Sequence, residues 1–345
     1  MQFDQLKRRE LTTVLSGAAA CSIREDSMKR IVLGSALAAL MLGAIAAQAQ
    51  TPSWMPPADS ERCPSKWGAG DERGAANHMK PATVLNALKL VKTGEVIELG
   101  HVLNAQMPLG ARSFNLLVKQ TAAAAGTNQR SGNEEMVIAE MGQVGTQFDG
   151  FAHQSHNGVH YNCFKTSDIV TRNGFTKLGI QNVGSLITRG VLLDVAGYKG
   201  IDMLGDNYEI TQEDVEGAAR KQSITFQPGD AILTRTGWSK LWGKDNARYG
   251  RGNPGLGIKA AQLLLAKDPM MLGADTAPVE VNPNPDKLVS LPLHQLALVV
   301  HGVHLLENLT LEELAAKGVN EFVLIMQPLK LQGATGSTVA PIAVR

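Results

Sequence analysis

Three cysteines are all that this chain of 345 residues contains, too few for a scaffold held together by disulfides. Cys21 precedes an N-terminal apolar run, so only Cys63 and Cys163 lie beyond it. In an oxidising compartment these two are free to pair; otherwise they stand as two separate buried thiols. Aromatic residues make up only 5% and are not interleaved with Lys or Arg, as a single-strand nucleic-acid binder requires. A surplus of one charge is missing too. Lys+Arg number 33 and Asp+Glu 32, with no basic stripe, which excludes a nucleic-acid partner. No Gly-x-Ser-x-Gly elbow occurs, so a nucleophilic serine of the α/β-hydrolase kind is not expected. Residues 252–257 lack the dinucleotide fingerprint, and no P-loop or internal repeat is present.

What is present begins with an export signal. Lys29-Arg30 precedes an apolar run from Ile31 to Ala47, and Ala47-Gln48-Ala49 satisfies the small-x-small cleavage rule. Residues 28–49 therefore read as a signal peptide, with an uncleaved anchor as the alternative. Met28 has the position of a natural start, which makes residues 1–27 an upstream extension. The mature chain would begin near Gln50, reside in the periplasm or be secreted, and have no membrane association after cleavage. Residues 50–75, rich in Pro, Ser, Gly and charge, read as an N-terminal arm. Residues 76–345 read as one compact domain.

Within that domain helical and strand signals alternate. A helix is expected over Pro81–Val91 and a strand over Val96–Val102. Residues 104–134 read as a long loop, followed by a strand over Met136–Met141. Further strands are expected at Gly190–Ala196, Ala231–Thr236, Met270–Gly273 and Phe322–Pro328. Helices are expected after the capping boxes Thr211–Asp214 and Thr310–Glu313, and over Ile258–Ala266. Leu291–Val300 is a buried helix or strand. This mixture gives an α/β (mixed α+β) fold class.

Six of the eight histidines fall in two stretches. The first holds Asp149, His153, His156 and His160. The second runs from His294 through His301 and His304 to Glu307. Histidine serves as metal ligand and as acid or base near neutral pH, and carboxylates supply hard oxygen ligands. Asp-x-x-x-His alone is weak evidence of a site.

Other residues add context. Gln143-Val144-Gly145-Thr146-Gln147-Phe148-Asp149-Gly150-Phe151-Ala152-His153 resembles the His-x-Gly-Thr-His-x-Asp-x-Pro-x-His hallmark of the cyclase family of metal-dependent hydrolases, which includes arylformamidases and isatin hydrolases. Gly145, Thr146, Asp149 and His153 match, while both leading histidines are glutamine and the proline is Phe151. Trp67-Gly68 with Asp71-Glu72, Thr236-Gly237-Trp238, Pro254-Gly255-Leu256, Gly273-Ala274-Asp275-Thr276 and Glu307-Asn308-Leu309 extend the likeness over residues 65–330.

The resemblance implies a single cyclase-like swivelling β/β/α domain and a divalent ion, Mn or Zn. Asp149, His294 and Glu307, joined by Gln147, would hold it. His304 is the runner-up to His294, and His301 has a weaker claim. His153 would act as proton carrier and Glu307 would belong to the catalytic group. The implied reaction is hydrolysis of a carbon–nitrogen or ester bond in a small cyclic amide, lactone or arylformamide. An amide at Gln147 in place of an imidazole favours a hard ion such as Mn²⁺ over Zn²⁺. Phe148, Phe151, Tyr161 and Trp238 are expected to line the substrate pocket. Family members often form dimers or tetramers, so a homo-oligomer is expected. The rival reading is a periplasmic small-molecule-binding relative with a degenerate metal site.

Overall fold

The computed structural model describes residues 50–345, and Thr51–Arg345 form one compact unit. The expected extension and signal peptide lie outside the described residues. Among the described residues no helix is long and apolar enough to cross a membrane.

The main sheet has nine strands, numbered here in chain order: β1 Val96–Glu98, β2 Gln147–Asp149, β3 Leu186–Asp194, β4 Ala231–Arg235, β5 Met271–Ala274, β6 His304–Glu307, β7 Glu321–Met326, β8 Gly336–Thr338 and β9 Ile342–Val344. Their spatial order is β1-β9-β7-β3-β4-β5-β6-β2-β8. The four middle strands, β3 to β6, run parallel, and every pairing outside them is antiparallel. Parallel strands must be buried on both faces, and the near-continuous apolar runs of β4 and β5 reflect this. One cluster around Leu193, Ile232, Leu272 and Leu305 covers one face of the sheet. Another around Leu192, Leu233, Leu306 and Phe322 covers the opposite face.

Helices fill the crossovers. Gln212–Lys221 starts from the expected capping box, with Thr211 and Asp214 bonded reciprocally. The second expected box does not form. Helix Glu312–Ala316 begins one residue later, after Leu311, with no side-chain cap. The ambiguous run near Leu291 is a short turn, Pro292–His294, continued by a π-wound segment, Gln295–His301.

The long loop expected over 104–134 is a correction. Phe114–Thr121 and Gly132–Ala139 pair as an antiparallel ribbon separate from the main sheet. Almost every side chain of this arm is exposed, so no alternation of apolar and polar residues marks it in the sequence. The N-terminal arm is mostly irregular and belongs to the compact unit. Cys63 and Cys163 form a disulfide, with α-carbons 6.0 Å apart, tying it to the loop after the first histidine stretch.

Candidate active site

The carboxyl ends of the parallel strands carry acidic or charged residues: Asp194, Arg235, Asp275 just past β5, and Glu307. Open α/β sheets present ligands at this edge. Strand β2 inserts between β6 and β8, with Gln147 opposite Glu307 and Asp149 opposite Leu305. Alternation along a strand turns Gln147 and Asp149 to one face and Phe148 to the other. Phe148 accordingly sits in the core.

His294 arrives from the β5–β6 crossover. Its Nε2 lies 3.2 Å from Glu307 Oε1 and 3.5 Å from Asp149 Oδ2. His153, on the turn after β2, places Nε2 3.8 Å from Asp149 Oδ2. Asp149, His153 and His294 offer ligand atoms all within 4.8 Å of one another. Asp149 Oδ2 and Glu307 Oε1 are buried without a hydrogen-bond partner. Two orphaned carboxylate oxygens converging on an imidazole are costly unless a cation joins them. These residues therefore fit a divalent ion. Gln147 is also buried here, and its amide donates to Glu307 Oε2 at 2.9 Å.

The electrostatics are tightly linked. Burial opposes ionisation of Asp149, but His153 and His294 outweigh it and hold its pKa below the usual carboxylate value. Burial, reinforced by the charge of Asp149, raises Glu307. Burial disfavours charge on His294, yet Glu280, Asp149 and Glu307 together raise its pKa well above the usual imidazole value.

Two supporting side chains complete the arrangement. Glu280, almost fully buried, accepts from the backbone N–H groups of Leu293 (2.6 Å) and His294 (3.1 Å) and from His294 Nδ1. Gln143 Nε2 reaches Asp149 Oδ1 and His153 Nδ1, each at 3.2 Å, and its Oε1 accepts from Arg112 at 3.2 Å. A cavity of about 440 Å³ opens over the group, lined by Arg112, Gln147, His153, Tyr249, His294 and Glu307 among others.

The Cyclase family model matches residues 49–281, more than half of the chain. The chain belongs to the cyclase family. A crystal structure described as a novel cyclase is 30% identical, covers 84% of this chain and 100% of its own, and superposes with a TM-score of 0.77. Isatin hydrolase A from Labrenzia aggregata is 21% identical, covering 72% of this chain and 93% of its own, with a TM-score of 0.51. The Ralstonia solanacearum enzyme of that name is 19% identical, covering 77% and 99%, with a TM-score of 0.52. At such identities these two share the fold. No curated protein matches the chain.

Several segments that suggested the cyclase family prove to be structural joints. Asp275 accepts from Thr236 N, Thr236 Oγ1 and Gly237 N, fastening the ends of β4 and β5 together. Asn308 donates to Gly145 O, and its own carbonyl accepts from Thr146 Oγ1, fixing the turn that enters β2. Gly145 has φ +68°, and a β-carbon there would lie 2.1 Å from Leu103 Cδ2, so only glycine fits.

The expected aromatic pocket is a correction. Phe148, Phe151, Tyr161 and Trp238 are all at most 2% exposed, and none lines the cavity. Phe151 and Phe148 pack on the His304 ring, and the Tyr161 hydroxyl donates to Asp71. His304 is a core residue bonded to the Asp149 carbonyl, and His301 ends the π segment away from the site. Glu280 escaped the sequence reading. Its one signal was a lone carboxylate in the apolar run Pro278-Val279-Glu280-Val281. Arg112 carried none.

Proposed function

We propose that the protein is a metal-dependent hydrolase that opens a carbon–nitrogen or ester bond in a small cyclic amide, lactone or arylformamide. One observation carries the reading: the orphaned oxygens of Asp149 and Glu307 face His294, and Glu307 and His294 line an accessible cavity. Asp149, His294 and Glu307 would hold the ion, with Gln147 at its side. Such an ion supplies a nucleophile at neutral pH and polarises a carbonyl. An acid- and amide-rich donor set favours Mn²⁺ over Zn²⁺.

The chain's own groups have separate tasks. Glu280 fixes the orientation of His294 so that Nε2 points at the two carboxylates. His153 borders the cavity with a side chain 20% exposed, which lets it exchange a proton with a leaving group and then with solvent. Gln143 holds His153 beside Asp149. The fold-sharing structures include isatin hydrolases, one bound to the product analogue thioisatinate, which supports a cyclic amide among the substrates.

The rival reading, a binding relative that has lost turnover, draws on Gln143 and Gln147, which stand where the family hallmark has histidine. Export to the periplasm belongs to the same proposal, supported by the signal-like segment and the Cys63–Cys163 disulfide. The test combines elemental analysis of the purified protein with a panel of isatins, formanilides and lactones, with and without added Mn²⁺ or Zn²⁺. Metal-stimulated turnover abolished by Asp149→Asn and His153→Ala is expected. Ligand binding without turnover would establish the binding relative. Absence of metal binding would overturn the ion site itself.

A further inference from the structure

Arg112 is the one Lys or Arg lining the active-site cavity among the described residues, and the reaction proposed above gives it no task. The residue is exposed, yet its guanidinium is drawn toward the site, Nη2 donating to Gln143 Oε1 at 3.2 Å. An amide oxygen fixes the direction of the group without neutralising it. Among the described residues Arg112 makes no ion pair. Glu140, whose carboxyl feels its charge, is bonded instead to the N–H and hydroxyl of Ser113, at 2.6 and 2.9 Å.

The position of this cation is set by packing. The Arg112 N–H donates to Leu109 O at 3.0 Å, closing a turn. Leu109 packs with Phe114 and Ala139, at the root of the ribbon, around Val144, the residue after Gln143. The root therefore holds the arginine against the segment that carries the glutamine. Gln143 in turn touches Asp149 Oδ1 and His153 Nδ1, each at 3.2 Å. The oxygen and nitrogen of one amide are about 2.2 Å apart. Arg112 Nη2 thus lies no more than about 9 Å from both Asp149 and His153. One of its five donors is engaged by Gln143, which leaves most of the planar fork for a ligand.

We propose that Arg112 anchors a carboxylate carried by the substrate a few bonds from the scissile carbonyl, so that the enzyme selects an acidic member of the class proposed above. The inference rests on that reading and adds a specificity-determining residue to it. A guanidinium and a carboxylate match as two parallel charge-assisted hydrogen bonds, which fixes orientation as well as affinity. No Lys and no second Arg lines the cavity, so its single positive charge suits a carboxylate better than a doubly charged phosphate. The anchored group is distinct from the carboxylate that ring opening creates, because that one forms at the attacked carbonyl, beside Asp149 and His294. With its acid on Arg112, a substrate would reach along Gln143 and present its carbonyl between the ion site and His153. Gln143 then has a second use: it separates the anchor from the proton carrier by one side chain and keeps the cation off Asp149.

The test uses matched probes that differ only in this charge. Turnover of 3-formamidobenzoate is compared with that of 3-formamidobenzamide in the wild type, Arg112→Ala and Arg112→Lys. The wild type is expected to prefer the acid in kcat/KM, and Arg112→Ala to lose about tenfold or more of that preference through KM. Arg112→Lys should recover part of it, since it restores the charge without the fork. Calorimetry with 3-acetylbenzoate and 3-acetylbenzamide, whose ketone cannot be hydrolysed, reads binding apart from turnover and should show the same loss for the acid. A role confined to holding Gln143 and His153 would instead lower kcat equally for both probes, and that result would overturn the proposal. Turnover with no preference for the acid would overturn it too, while leaving the hydrolase reading intact. No turnover of either probe, with 3-acetylbenzoate still bound more tightly by the wild type than by Arg112→Ala, would sink the hydrolase reading and support the anchor.

Discussion

Gln147 and Glu307 face one another across the β2–β6 ladder, and the amide of the first donates to Oε2 of the second at 2.9 Å. The amide thus engages one carboxylate oxygen and leaves the other aimed at His294. An imidazole at position 147 would instead supply a softer nitrogen donor to the same point. Gln147→His is expected to tighten Zn²⁺ binding about tenfold or more while changing Mn²⁺ binding much less. Competitive titration against a metal indicator measures both.

Glu280 is the buried partner that aims His294. Glu280→Gln keeps the shape and can still accept one bond from Nδ1, but it removes the negative charge. Loss of metal affinity and of kcat/KM by about 10–100-fold is expected, with little change in thermal midpoint. A variant that melts early but keeps full metal affinity would assign Glu280 to packing alone.

The Cys63–Cys163 bridge closes a loop of 100 residues. Its removal by Cys63→Ser with Cys163→Ser is expected to cost about 2–5 kcal/mol of stability. Denaturant melts with and without reductant check this. The wild type should respond to reductant and the double variant should not.

His101 stacks on Trp242, with ring centroids 4.2 Å apart, and its Nε2 is buried without a partner. Burial lowers its pKa to about 4. The unfolded chain takes up this proton near pH 6.5 while the folded chain resists until about 4. The contribution of His101 is therefore complete above pH 6.5 and is lost as pH falls through that window. His101→Phe keeps the stack without the titration, so urea midpoints from pH 7 to 4 should fall less steeply in the variant than in the wild type.

The mixed fold and most strands of the main sheet were legible because buried parallel strands are apolar runs of a kind that surface elements lack. Asp149, His153, His294 and Glu307 could be named in advance through the resemblance to the cyclase hallmark, because an acid and an imidazole four positions apart are weak evidence of a site on their own. The roles of Phe148 and Trp238 could not. An aromatic beside a site residue looks the same in sequence whether its strand turns it inward or outward, and β2 is only three residues long. The exposed arm was hidden for a related reason: with no buried face it has no period. Glu280 acts across 14 positions through a crossover that only the folded chain closes.

The π-wound segment separates two needs of the β5–β6 crossover. The Pro292–His294 turn is held at its start by Glu280, whereas Gln295–His301 absorbs the distance to β6 with a wider winding than an α-helix. Length variation in this crossover can therefore be taken up after position 294. Shortening the segment by one residue toward ordinary α winding would disturb the packing of Leu296 and Val299 and leave His294 aimed as before. The most distant donor of the site is in this sense held independently of the winding that follows it.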